Sequence, residues 1–104
     1  MADAAESVVN HFKNNIVYIN VMKNLSVDCD CDGNASAPCM GDIGVLASTD
    51  PIAVDQACLD LVYNSTDPGK DKLIERIESR HGVHTIEAAS ELGFGEREYE
   101  LIEF

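Results

Sequence analysis

Basic side chains are scarce in this chain of 104 residues: Lys and Arg together number 7, against 19 Asp and Glu, a formal charge of −12. A surface this acidic repels nucleic acid and anionic lipid, so both are disfavoured as partners, and it attracts cations and basic protein surfaces. Solubility alone also accounts for such a charge. Long apolar runs are missing as well. No stretch approaches the ~20 apolar residues of a membrane helix. The N-terminal Met1 to Lys13 carries Asp3 and Glu6 where a secretory signal has a basic start and an apolar run. A cytoplasmic location is the expectation, and there four cysteines are expected free or metal-bound before they are expected in disulfides. Internal repeats and low-complexity tracts are absent. The length fits one domain, or part of one.

What is present is a sequence of elements with readable boundaries. Ala2 to Lys13 reads as a short helix with Val8, Val9 and Phe12 on one face. Ile16 to Met22 is β-branched and aromatic, apolar on both faces, the pattern of a central strand covered on both sides. Asn24 to Gly41 has little periodicity and reads as a long loop, of the kind that is usually functional or mobile. Asp42 to Ala47 reads as a second, short strand. Asp50-Pro51 is a helix start, with Asp50 as cap and Pro51 at the first helical position.

The helix from Pro51 to Tyr63 sets Ala53, Ala57 and Leu61 in one row and Val54, Cys58 and Val62 in the next. It therefore packs on a sheet through small residues and keeps Asp55, Gln56 and Asp60 as a polar, solvated stripe. Asp67-Pro68-Gly69 is a turn. A helix over Lys70 to Arg80 turns Leu73, Ile74 and Ile77 inward, and Gly82 supplies a left-handed cap. Thr85 to Leu92 is a further helix, ended by Gly93. Glu96 to Phe104 has the alternation of a closing strand through Tyr99 and Leu101, which Ile102 breaks. The expected fold is a small layered α/β domain, a short central sheet with helices packed on it, in the order α-β-loop-β-α-α-α-(β).

The chemistry concentrates in Asp28-Cys29-Asp30-Cys31-Asp32-Gly33, with Cys39 further along the same loop. Thiolates are soft ligands that favour zinc, copper(I) and iron–sulfur clusters. Cys29 and Cys31, separated by one residue, can turn two sulfurs to one ion, with Cys39 as a third ligand and Asp30 between them. Cys58 is a fourth ligand if its helix faces the loop, and otherwise a small core residue. The flanking carboxylates raise the thiol pKa, a penalty that a bound cation reverses. Free thiols in an acidic loop are the alternative. So is a calcium loop on Asp28, Asp30 and Asp32, although its twelfth position is Cys39 where a bidentate Glu is required. A redox pair of Cys29 and Cys31 lacks a neighbouring basic residue in the sequence. Asp42, beside the loop, suits an outer ligand or an acceptor for loop amides. His81 and His84 flank Gly82 and read as surface residues near a helix end, and Gly93-x-Gly95 as a turn.

Three segments together resemble a known family: Tyr18-Ile19-Asn20-Val21 leading to Cys29-Asp30-Cys31, the block from Asp42 to Ala57, and Glu91 to Leu101. They are similar to the C-terminal stretch of domain-of-unknown-function family 362. The resemblance implies a single domain over residues 1–104 that is the C-terminal fragment of a longer one, and an association with ferredoxin-type iron–sulfur segments. It implies no catalytic residues. This chain has no ferredoxin-like run of closely spaced Cys-x-x-Cys motifs, and Cys39 and Cys58 fall outside the resembling elements. The expectation is a metal- or iron–sulfur-binding module, with zinc as the other candidate cofactor and a basic protein or a ferredoxin-type domain as partner. The alternatives are a non-catalytic acidic interaction domain, or part of an enzyme whose site needs a further N-terminal region.

Overall fold

The computed structural model describes residues 2–12, 15–28 and 33–103. The elements are α1 (Ala2–Phe12), β1 (Tyr18–Met22), β2 (Gly44–Ser48), α2 (Pro51–Tyr63), α3 (Lys70–Ser79) and α4 (Gly82–Leu92). This is a small α/β fold in the order expected, except at its C-terminal end. There, residues 96–103 run as irregular chain and not as a strand. The Glu96 amide and the Arg97 and Tyr99 side chains instead bond to the capping Asp50 and to Gln56 and Asp60 of α2.

β1 and β2 pair antiparallel, from Tyr18 opposite Ser48 to Met22 opposite Gly44. Alternate side chains of a strand point to opposite faces. Tyr18, Asn20 and Met22 therefore share the face that meets α2, where Asn20 Nδ2 donates to Asp55 Oδ1 at 2.8 Å. Ile19 and Val21 of β1 and Val45 of β2 lie on the other face and are 63–66% exposed. The expectation of a strand covered on both sides is thus corrected. Both parities carry apolar residues, and the one with Asn20 is the one that the helix covers, while the wholly apolar one is bare.

α2 is the central helix, in contact with both strands, α3 and α4. It starts as its sequence dictates. Asp50 is extended, and its Oδ1 accepts from the amides of Ile52 and Ala53 at 2.9 and 3.0 Å, groups that a helix cannot pair internally. Ala53, Val54 and Ala57 are buried against the sheet. Two apolar clusters flank this helix. Met22, Met40 and Val62 gather Leu46, Leu73, Ile74 and Ile77 on one side. Ile52, Ile86 and Ala89 gather Leu59 and Phe94 on the other.

α1 packs on α4 and buries none of its residues. The break between α3 and α4 falls at His81, which takes the left-handed conformation (φ 53°) expected of Gly82. Gly82 instead begins α4, where a Cβ would stand 3.1 Å from Ile77 Cγ2, a tight contact. Gly93 ends α4 with φ 82°, as expected.

Candidate functional site

The loop between β1 and β2 spans residues 23–43, and its two limbs are laced to each other. Ile43 N donates to Met22 O at 2.9 Å, and Asn24 N to Asp42 Oδ1 at 2.9 Å. Cys39 N then donates to Leu25 O at 2.7 Å, and Ser26 Oγ to Ser36 O at 2.8 Å. Highest on the loop, Asp28 Oδ2 accepts from both Ser36 N and Ser36 Oγ, at 2.8 and 2.6 Å. Asp42 is therefore an acceptor for a loop amide, one of the two roles its position allows.

Helices brace the loop from below and beside. Asp67, in the turn between α2 and α3, accepts from Gly41 N and Gly69 N, both at 2.8 Å. These two amides hold its carboxyl below the usual aspartate range. Gly69 lies directly under the Cys39 carbonyl, so closely that a Cβ there would overlap the carbonyl oxygen. Arg76 of α3 reaches Asp28, Nη1 to Oδ1 at 3.2 Å. Hydrogen bonds from Ser36, helped by the Arg76 charge, push the Asp28 carboxyl below its ordinary value. An Asp28 occupied in this way has little left for a calcium ion, which weighs against the calcium-loop reading.

Cys29, Asp30 and Cys31 lie outside the described residues. They follow Asp28 directly in the chain. Cys39 is half-buried in the opposite limb, two residues before Gly41. Cys58 lies on α2, beneath the base of the loop. It packs against the Met22, Met40 and Val62 cluster and accepts from Asn20 Nδ2 at 3.3 Å. Burial, together with the neighbouring Asp55 charge, pushes its thiol up. Among the described residues, no group of three or more His, Cys, Asp or Glu side chains could hold a metal ion. The described part of the loop thus contributes one thiol, Cys39, to the expected ligand set.

The polar stripe on α2 is not simply solvated. Asp55 faces β1, and Gln56 and Asp60 hold the C-terminal segment. Arg97 Nε donates to Gln56 Oε1 at 2.9 Å, Gln56 Nε2 to Asp60 Oδ1 at 3.0 Å, and Tyr99 Oη to Asp60 Oδ2 at 2.6 Å. Glu96 N donates to the second oxygen of the capping Asp50, at 3.0 Å. The bond to Asp60 lifts the Tyr99 phenol to about 12. Sequence reading missed this latch, and also Arg76 and Asp67 as braces of the loop. Each joins residues far apart in the chain, and only the Asp67-Pro68-Gly69 turn gave any local sign.

Fold and site together define a small acidic α/β module built around a cross-braced hairpin loop that carries cysteines. The profile of the domain of unknown function (DUF362) matches residues 1–60, and the chain belongs to that family. The match takes in α1, the hairpin with its whole loop, and most of α2. The resembling segment from Glu91 to Leu101 lies beyond it. No curated protein and no solved structure matches the chain. Among the described residues, no helix is long and apolar enough to cross a membrane.

Proposed function

We propose that the chain is a cytoplasmic binding module for a soft metal cation or an iron–sulfur cluster, held by the thiolates of Cys29, Cys31 and Cys39 with the Asp30 carboxylate beside them. The lacing of the loop carries this reading: Ser36 clamps Asp28 from the limb that bears Cys39, so the two ends of the cysteine-bearing segment are tied together. Closing a loop costs entropy before any ligand bond forms, and limbs tied in advance lower that cost for a shared ion. The donor chemistry fits, since thiolates prefer zinc or iron over magnesium or calcium. A bound cluster would supply one-electron redox chemistry, and a ferredoxin-type domain is the partner such a module would serve. Arg76, which neutralises Asp28 next to Cys29, reduces the carboxylate repulsion that thiolates at this tip would meet.

The test is metal and sulfide analysis, with visible absorption, of chain purified without oxygen. The expected result is stoichiometric zinc or iron that survives Cys58→Ser and is lost in the Cys29→Ser, Cys31→Ser double variant. Colourless, metal-free chain with all its thiols titratable would remove the proposal.

A further inference from the structure

The sheet ends abruptly. β2 is hydrogen-bonded to β1 and, among the described residues, to no second strand. Its outer side borders a groove of about 380 Å³, lined by Val45 to Ser48, by Ala53 and Ala57 of α2, and by Tyr99 to Ile102 of the C-terminal segment. That segment does not fill the groove. Its bonds to Asp50, Gln56 and Asp60 draw it onto α2 and leave Leu101 and Ile102 exposed.

An open edge of this kind is normally blunted by charge, proline or a bulge. β2 reads Gly-Val-Leu-Ala-Ser and has neither charge nor proline, and it keeps an unbroken register with β1. Beside the edge, Ile19, Val21 and Val45 form the bare apolar face already described. Two strands alone are marginal, and a third would extend both the ladder and the apolar face. The charges nearby choose the occupant. Glu100 lines the groove, and Glu96, Glu98 and Glu103 lie in the same segment, while Arg97 is turned onto Gln56. A second copy would bring another −12 to this acidic rim. Nucleic acid and anionic lipid are repelled by it.

We propose that the free edge of β2 takes up, as an added strand, an extended segment of a partner protein in which apolar residues alternate with Lys or Arg. Main-chain bonds to β2 would supply affinity, and the alternation would lay apolar side chains on the Val45 face and cations against the glutamates. This proposal stands independently of the cysteine loop.

A fluorescent heptapeptide of alternating Lys and Val, titrated against the full chain by anisotropy, tests it. Saturable binding is expected. It should weaken at least about tenfold when alternate peptide amides are N-methylated, when Glu replaces Lys, and when the chain carries Ala47→Lys, consistent with loss of several edge bonds or like-charge contact. Ala47 is exposed, and unchanged circular dichroism would verify that this variant folds; the two peptide controls stand without it. Absence of saturable binding, or equal binding of the N-methylated or the Glu peptide, would overturn the proposal. So would a dimer in sedimentation equilibrium that Ala47→Lys abolishes, since the edge would then belong to a second copy.

Discussion

At Gly69 the backbone φ is −66°, a value any residue adopts, so clearance and not torsion explains the glycine. The Cys39 carbonyl rests where a Cβ would stand, and Asp67 ties Gly41 to the same turn. One small residue thus lets the cysteine-bearing limb sit down on the start of α3. Gly69→Ala must push that limb away, and it is expected to cost about 1–3 kcal/mol, the usual range for overpacking. Gly33 has open space around its Cα, so Gly33→Ala should stay within about 0.5 kcal/mol. Urea denaturation midpoints of the two variants measure the contrast. Equal midpoints would mean that the limb is not seated on Gly69.

Among the elements, α2 organises the rest, and most of its role can be read from its residues. Asp50-Pro51 announces the start, and the small residues Ala53 and Ala57 announce the close approach to a sheet. The polar stripe is readable as a stripe but not as a docking strip. Its partners, Arg97 and Tyr99, lie 41 and 39 residues further along the chain than the groups they bond. The same blindness made the C-terminal segment look like a strand, because alternation of Tyr99 and Leu101 with glutamates serves a latch as well as a ladder. It also made β1 look covered on both sides, since both parities carry apolar residues and the one polar residue, Asn20, lies on the parity that meets α2.

The latch has an alkaline limit. The folded-state value of Tyr99, about 12, lies above the ordinary tyrosine value near 10. A raised pKa means that the protonated form is favoured in the fold. The contribution of this contact is therefore fully present below about pH 10 and is lost as pH climbs toward 12. Burial and the neighbouring Glu78 also push the Tyr63 phenol up. Near-ultraviolet titration of tyrosinate should therefore show one late-ionising phenol fewer in Tyr99→Phe than in the native chain, and one more in Tyr99→Phe than in the double variant with Tyr63→Phe. If Tyr99→Phe removes no late step, Tyr99 is not the latched group.

For the whole molecule, the radius of gyration is 14.2 Å. A compact domain of this length has about 13 Å. No described side chain is fully buried, and one face of the sheet is bare. The core is thin because a single helix serves both apolar clusters while α1 stands apart on α4. In such a fold the described limbs of the loop, residues 23–28 and 33–43, are fastened to each other, to Asp67 and to Arg76. Met40 anchors one limb in the core, and the polar bonds beyond it tie together the two ends of the cysteine-bearing segment, which is the physical reason to look for a ligand there.

Cobalt(II) titration of the reduced chain puts that reason to the test most directly. Thiolate ligands give cobalt an intense charge-transfer absorption that carboxylates and imidazoles do not. The account predicts this band, saturating at a fixed stoichiometry in the native chain and in Cys58→Ser, and its loss in Cys29→Ser with Cys31→Ser. A titration without the band, or one that the double variant reproduces unchanged, would contradict it.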